Sequence, residues 1–224
     1  SIGNSTISGN AARSSSGGVS LKSFSASPPA ATISNSTISG NRAVTGAVGG
    51  VYANVPLTVR SSTIAFNTAT SGASAAGLSA KAQYASITVD LNGTLLSNNS
   101  FGNTPTASDF GTATAGANAI AATGADNLIF APASGAALPS GGGLVSACPL
   151  LGPLRGNGGS TMTHQLLSGS PAIDVGNDTS TATGAHYDQR GTGFPRSLGI
   201  NPDIGAFEID PGDVVFNAGF DGCP

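Results

Sequence analysis

The clearest pattern in the chain is a short run of alternating small and aliphatic residues that returns at irregular intervals. The stretch Asn4–Asn10 reads NSTISGN and recurs letter for letter as Asn35–Asn41, with weaker copies at Ser61–Asn67 and Gly93–Asn99. The aliphatic centres of the four copies lie 31, 26 and 32 residues apart, at Ile7, Ile38, Ile64 and Leu96. A fixed motif with a variable period predicts repeats whose strands are constrained and whose loops vary. Because the first residues fall inside a copy, further repeats are expected to precede Ser1.

Columns of similar residues flank these centres. An Asn follows each centre by three residues, and stacked Asn side chains form a hydrogen-bonded ladder; the column is Asn10, Asn41, Asn67 and Asn99. An aliphatic residue precedes each centre by five. That odd offset breaks the strand period of two, so the chain must bend between the two apolar positions. The bend is predicted three residues before each centre, at Asn4, Asn35, Ser61 and Gly93, and Ser61 suits a left-handed conformation least.

A second marker supplies another strand in each repeat. It reads Gly17-Gly18-Val19, Gly49-Gly50-Val51, Ala76-Gly77-Leu78 and, in the fourth copy, Asp109-Phe110-Gly111. Helical periodicity is absent, and Gly, Ser and Thr fill helices poorly. These features predict an all-β fold, a right-handed parallel β-helix (solenoid) over residues 1–147, with residues 148–224 as a C-terminal capping module. The Thr6, Thr37 and Thr63 column should form a flat polar outer face. The alternative is an antiparallel β-sandwich with accidental repetition.

Composition narrows the class of protein further. Charged residues make up 8% of the chain and the net charge is -3. Residues 1–147 hold five Lys/Arg and three Asp/Glu, whereas residues 148–224 hold three and eight, which marks a boundary near Cys148. Without a basic patch, nucleic acid is not expected as a partner. No apolar run approaches the roughly 18 residues that span a bilayer, so no transmembrane segment is expected.

The two cysteines, Cys148 and Cys223, help to predict whether the protein is exported from the cell. A chain poor in thiols and rich in Asn, Ser and Thr suits an exported protein, where the two could form one disulfide. The alternative is two unrelated free thiols. Their spacing does not suggest a metal site, and no cofactor is expected.

The chain also resembles known families of surface proteins. The Gly-Gly-Val and Ile-Ala-Phe-Asn markers are similar to repeats of chlamydial polymorphic outer-membrane proteins and related parallel β-helix proteins of the pectin-lyase-like superfold. Residues 127–208 resemble the choice-of-anchor Q module of exported bacterial β-helix proteins. Five blocks carry this resemblance in order: Pro149–Gly159, Thr163–Leu167, Gly169–Asp174, Asp188–Gly191 and Pro202–Glu208. One departure is Cys148, where such proteins often carry Asp.

The resemblance implies a bacterial protein that is secreted or displayed at the cell surface in association with the outer membrane. It implies no catalytic residue. We therefore expect a non-enzymatic adhesin or extracellular binding protein, with extracellular polysaccharide or a host or cell-surface ligand as partner. The alternative is a polysaccharide-active enzyme, a lyase or glycoside hydrolase, whose site lies mostly outside this stretch. The carboxylates of the repeats, Asp90, Asp109 and Asp126, do not stack in register as such a site needs.

A polar cluster in the end module is the remaining candidate for chemistry: His164, Asp174, His186, Asp188, Arg190, Arg196, Asp203 and Glu208. Because His titrates near neutral pH, His164 could form an acid–base pair with Asp174 or Asp203. The favoured interpretation is structural. In a module with few aliphatic residues, Asp–Arg pairs and bonds to exposed backbone groups would brace the turns.

Overall fold

The computed structural model describes residues 1–13, 16–45, 48–70, 75–102, 106–177, 186–210 and 212. Over these residues the protein is all β, with no helix. The strands in chain order are β1 (Ile2–Gly3), β2 (Thr6–Ser8), β3 (Ala11–Ala12), β4 (Val19–Leu21), β5 (Ala31–Ser34), β6 (Thr37–Ser39), β7 (Arg42–Ala43), β8 (Val51–Ala53), β9 (Leu57–Arg60), β10 (Thr63–Ala65), β11 (Thr68–Ala69), β12 (Leu78–Ala82), β13 (Ile87–Asn92), β14 (Leu95–Ser97), β15 (Ser100–Phe101), β16 (Thr106–Ala107), β17 (Phe110–Thr114), β18 (Ile120–Thr123), β19 (Asn127–Ile129), β20 (Gly143–Val145), β21 (Arg155–Gly156) and β22 (Met162–Thr163).

The strands stack into four sheets. Sheets 1, 2 and 4 take one strand from each successive repeat, and sheet 3 does the same except that it ends in two strands of the fourth repeat. Sheet 1 has the order β1-β5-β9-β13-β18, sheet 2 the order β2-β6-β10-β14-β19-β20, sheet 3 the order β16-β15-β11-β7-β3, and sheet 4 the order β17-β12-β8-β4. All neighbours are parallel except β15 and β16. A small antiparallel pair, β21 with β22, lies in the end segment. The prediction of an all-β chain with parallel stacked strands is confirmed, and this arrangement is compatible with a β-helix.

The register follows the sequence columns. The centres Ile7, Ile38, Ile64 and Leu96 pair in sequence across sheet 2. In sheet 1 the earlier aliphatic column pairs Ile2 with Ile33, Ile33 with Val59, and Val59 with Leu91. The chain bends between the two columns through left-handed residues, with φ of 48° at Asn4, 51° at Asn35, 42° at Ser61 and 56° at Gly93. Ser61 thus adopts the left-handed conformation that its residue type disfavours.

The core consists of the aliphatic side chains that sheets 1, 2 and 4 turn toward one another. Ile33, Ile38, Val51, Leu57 and Leu78 are among its fully buried members. A strand of these sheets contributes between one and three apolar groups, most of them aliphatic. The core therefore grows by stacking repeats, and no single repeat can bury its own apolar face. This explains why the chain folds with few aromatic residues.

A second, smaller apolar cluster joins the end segment, residues 148–210, to the repeats. It combines Ala65, Leu95 and Leu128, on the outer side of sheet 2, with Leu151, Leu166, Ala172 and Ile204 of the end segment. Polar contacts run alongside it. Thr6 Oγ1 donates to Met162 O, Asn35 Nδ2 donates to Tyr187 O, and Gly205 N donates to Gly93 O. The described contacts of the end segment therefore lie along the side of the stack, while the boundary at residues 147/148 stays a prediction.

The expected flat, solvated Thr face is consequently wrong. Thr37 and Thr63 are buried, and their hydroxyls bond to the end segment. Thr37 Oγ1 donates to Gln189 Oε1 at 2.6 Å, and Thr63 Oγ1 accepts from Ala206 N at 3.0 Å. A column of small hydroxyls serves here as a row of attachment points, because each hydroxyl can donate or accept according to its partner.

Candidate functional site

The structure places Asn10, Asn41, Asn67 and Asn99 in one file. Each Nδ2 donates to the Oδ1 of the next Asn, at 2.9, 2.9 and 2.8 Å in chain order. The backbone N–H groups of Asn10, Asn41 and Asn67 donate to the same oxygens. From Asn41 onward each Nδ2 also donates to a strand carbonyl one repeat earlier. The file therefore joins successive repeats and leaves no buried amide proton of these side chains without an acceptor.

The file ends at Asp109, which the sequence analysis did not include in the ladder. Asp109 Oδ1 accepts from Asn99 Nδ2 at 2.7 Å and from Asn99 N at 2.9 Å, while Oδ2 accepts from Ala131 N at 2.8 Å. Burial raises the pKa of Asp109 to about 6, although these three donors oppose the rise. The predicted fourth marker, Asp109-Phe110-Gly111, is wrong by one residue. Leu78 pairs with Val51 and with Phe110, so Asp109 takes the position of Gly50 and Gly77.

The glycines of that marker make room for the ladder. A Cβ atom at Gly50 would lie 2.4 Å from Gly77 O and 3.1 Å from Asn67 Nδ2. At Gly77 the corresponding distances are 2.4 Å to Asp109 O and 2.7 Å to Asn99 Nδ2. Real Cβ atoms do not approach backbone oxygens this closely, so the Gly-Gly marker and the Asn column are two parts of one packing arrangement.

In the end segment, Asp188 and Arg190 form a buried, bidentate ion pair. Arg190 Nη2 and Nε lie 2.7 and 2.9 Å from Asp188 Oδ2. The carboxylate also accepts from the backbone N–H groups of Arg190 and Glu208. The guanidinium lies 4.2 Å from the ring centre of Phe194 and 3.9 Å from that of Phe207. A planar cation held between two rings and a carboxylate has no face left for a substrate.

Asp203 and Glu208 brace turns in the same segment. Asp203 accepts from Asp174 N at 2.9 Å and from Ile209 N at 2.7 Å. Glu208 accepts from Leu198 N at 2.9 Å and from Asp203 N at 2.8 Å, and it lies 3.6 Å from Arg196 Nη2. Asp174 Oδ1 in turn accepts from Ile200 N. These carboxylates act as caps for backbone N–H groups in a region with few strands.

Burial shifts the pKa values of several charged side chains in the end segment. Desolvation raises the pKa of Glu208 to about 7 and raises that of Asp203, although backbone donors and Arg196 oppose both changes. Burial likewise lowers the pKa of Arg196. Perturbed pKa values often mark active sites, but structural ion-pair networks produce them as well. Here each shifted carboxyl already bonds two backbone N–H groups, which favours the structural interpretation.

His164 does not pair with a carboxylate, so the proposed acid–base pair with Asp174 or Asp203 is wrong. Its Nδ1 lies 2.7 Å from Gly152 O and its Nε2 lies 2.7 Å from Ser39 Oγ. Because the carbonyl can only accept, Nδ1 carries the proton and Nε2 accepts from the Ser39 hydroxyl. Burial lowers the pKa of His164 and so favours the neutral ring. The other histidine of the sequence cluster, His186, is exposed.

The Ser39–His164 contact has the form of a nucleophile beside a base, in the wall of a cleft of about 370 Å³. Acyl transfer also needs N–H donors for the developing oxyanion. The two glycine N–H groups in the wall are engaged, because Gly9 N donates to Ser39 O and Gly40 N donates to Ala65 O. Ser39 is itself buried. The contact therefore attaches the end segment to sheet 2. It could not be predicted from the sequence, because Ser39 belongs to the repeat and looks like its counterparts in the other copies.

The carboxylates of the repeats do not converge. Asp90 pairs with Arg60 at 3.4 Å and accepts from Thr123 Oγ1 at 3.0 Å, whereas Asp109 lies within the Asn file. Cys148 is disulfide-bonded; Cys223 lies outside the described residues, so the pairing of the two stays a prediction. Among the described residues no group of three or more His, Cys, Asp or Glu is placed to hold a metal ion.

Comparison with known proteins adds no family. The chain matches no protein-family model, no curated protein and no solved structure at a significant level. In the part of the chain that the structure describes, no helix is long and apolar enough to cross a membrane.

Proposed function

We propose that this chain is a segment of a right-handed parallel β-helix in which residues 148–210 act as a lateral brace. The support is the register: in four sheets, each step between parallel neighbours moves the chain by one whole repeat. A chain whose repeats contact only their neighbours builds an elongated solenoid. The resemblance to polymorphic outer-membrane proteins and to the choice-of-anchor Q module points to the same class.

The protein is proposed to be secreted or displayed at the surface of a bacterium and to bind an extracellular ligand without catalysis. One observation supports the proposal that the protein is not an enzyme. The candidate carboxylates Asp188, Asp203 and Glu208 are buried, and each accepts at least two backbone N–H groups. Carboxylates that are buried and already accept backbone N–H groups are not available to exchange protons with a substrate.

A glycan array followed by a cleavage assay tests this proposal. The protein is applied to immobilised plant, bacterial and animal glycans, and each bound polysaccharide is then incubated with it and sized by chromatography. We expect binding without any change in chain length. Time-dependent shortening of a polysaccharide by the purified protein, abolished by heating, would contradict the proposal and favour the lyase or hydrolase alternative.

A further inference from the structure

A cluster of aromatic and cationic side chains lies on the outer side of sheet 4, away from the end segment. We define it as the aromatic patch, consisting of Lys22, Phe24, Tyr52, Lys81 and Tyr84. The register of sheet 4 brings these residues together. Tyr52 pairs with Ser20 and with Ser79, and Lys22 and Lys81 follow those partners by two residues, so that they share the outer face. Phe24 and Tyr84 begin the loops beyond the strand ends.

The rings of the patch contact one another in the open. The ring centres of Phe24 and Tyr84 are 5.5 Å apart with the planes inclined at 58°. Lys22 Nζ lies 5.4 Å from the centre of the Tyr52 ring. Partial burial, and after it the nearby Tyr84, raises the pKa of Tyr52. Yet Phe24 is 80% exposed and Tyr84 40% exposed. An exposed group of contacting aromatic residues is typical of a binding surface.

Hydrogen bonds fix the loops that carry these rings. Asn54 Oδ1 accepts from Ser23 N at 2.7 Å, and Asn54 Nδ2 donates to Ser23 O at 2.8 Å, next to Phe24. Gln83 Nε2 donates to Tyr84 Oη at 3.2 Å, while Asn118 Nδ2 donates to Gln83 O at 3.2 Å. A surface whose loops are fixed before a ligand arrives loses less conformational entropy on binding.

The charged residues of the first three repeats all have one sign. No Asp or Glu occurs before Asp90, so the first three repeats carry only the cations Arg13, Lys22, Arg42, Arg60 and Lys81. Two of these, Lys22 and Lys81, lie on the patch. Positive charge beside exposed rings complements a ligand that combines carboxylates with apolar faces.

We propose that the aromatic patch binds an acidic polysaccharide, a chain of sugar rings that carry carboxylates. The C–H faces of the sugars lie against Phe24 and Tyr84, since the electron-rich face of an aromatic ring attracts such hydrogens, and Lys22 and Lys81 pair with the carboxylates. β8 lies between β4 and β12 in sheet 4, so the strands that position Lys22 and Lys81 are two strand spacings, about 9.6 Å, apart. The two cations can therefore pair with carboxylates on different sugars of one chain. This proposal rests on the proposed extracellular binding function and names its ligand and its surface.

Titration calorimetry with hexagalacturonate, its methyl ester and hexaglutamate tests the proposal on the full chain. Wild-type protein should bind hexagalacturonate, and both the ester and the peptide should bind more weakly. The double variant Phe24→Ala/Tyr84→Ala and the double variant Lys22→Gln/Lys81→Gln should each weaken binding roughly five- to tenfold. Ile200→Ala is the matched control, because Ile200 is 89% exposed outside the patch and its loss should leave affinity unchanged. Circular dichroism checks that each variant folds.

The outcomes separate this proposal from the proposed function. Unchanged affinity in both double variants, with the wild type still binding, overturns the patch and leaves extracellular binding intact. Equal affinity for the peptide and the sugar overturns the polysaccharide assignment. If the wild-type protein binds no member of the glycan array, the proposed function fails, and this inference fails with it.

Discussion

The repeats and the end segment bury polar groups of different kinds. Among the described residues of 1–147, the buried polar side chains are Asn, Ser and Thr, with Asp109 as the one ionisable exception. In residues 148–210 they include Asp188, Arg190, Arg196, Asp203 and Glu208. The repeats satisfy their backbone groups through parallel strands and need only neutral side chains at the bends. The described part of the end segment has two short strands, so charged side chains bond much of its backbone instead.

The end segment shows how a stable fold can form without a regular array of strands. A stack of repeats spreads its stability over many equivalent contacts, each of moderate strength. The end segment concentrates its stability in a few buried charges, whose partners cannot be removed singly without a large penalty. The two regions should consequently respond to mutation in different ways.

The largest effect is expected from Asp188→Ala. The change leaves the buried Arg190 guanidinium without its carboxylate and should cost about 3–5 kcal/mol. Urea unfolding measures the loss, and hydrogen exchange should place it in residues 148–210 with less change in β6 and β10. Asp210→Ala, an exposed carboxylate in the same segment, is the control and should change stability by less than about 0.5 kcal/mol. Equal losses from the two variants would contradict the role given to Asp188.

The next largest effect is expected from Asn67→Ala, in the middle of the Asn file. The change removes the bonds to Asn41 and Asn99 and strands buried backbone groups, at a cost of about 2–4 kcal/mol. Asn10→Ala, at the partly exposed start of the file, should cost about 1 kcal/mol because it has one Asn neighbour and is open to water. Both are measured by chemical denaturation. If the two variants lose the same stability, the file does not act as a connected ladder.

A moderate effect is expected from pH through Asp109. Its pKa is raised to about 6 in the fold from 3.8, so the folded protein binds this proton more tightly than the unfolded chain. The unfolding free energy should therefore be highest below about pH 4, fall as the pH rises from 4 to 6, and level off above, by about 1–3 kcal/mol.

Denaturation of Asp109→Asn over the same pH range isolates this contribution from that of Glu208, whose raised pKa acts in the same direction. The variant should show a shallower fall between pH 4 and 6 than the wild type. Identical slopes would show that Asp109 does not carry the effect.

The smallest effect is expected from Arg60→Ala. The pair with Asp90 is 3.4 Å long and both side chains are partly exposed, so its loss should cost less than about 1 kcal/mol. A thermal melt in low and in high salt checks this, because a screened surface pair loses its contribution as salt is added. A loss comparable with that of Asn67→Ala would place this pair among the main supports of the repeats.

The register of the repeats could be predicted from the sequence because identical residues recur at each copy. The Ile7 and Asn10 columns needed only self-similarity and the strand period to be found. The position of the end segment could not be predicted in this way. The contact of Thr37 with Gln189 joins residues 152 apart in sequence, and no periodic signal links them.

The chemistry of the candidate residues was predictable only in part. The grouping of Asp188, Arg190, Asp203 and Glu208 followed from the charge shift near Cys148, and their roles depend on backbone donors that a sequence does not reveal. The aromatic patch was missed because Phe24 and Tyr84 lie in loops of variable length, where no column draws attention to them.

The Asn file has a direction, and this limits how the chain can vary in length. Between side chains, each Nδ2 donates to the side-chain oxygen of the next repeat, from Asn10 to Asp109, so each Asn presents the same acceptor to the one before it. A whole repeat can be inserted or deleted between Asn10 and Asn99 without changing the hydrogen-bond pattern of the file. Asp109 terminates the file, because a carboxylate accepts hydrogen bonds and has no hydrogen to donate to a further repeat. Duplicated repeats can therefore extend the file at its Asn10 end, whereas the file cannot be extended past Asp109.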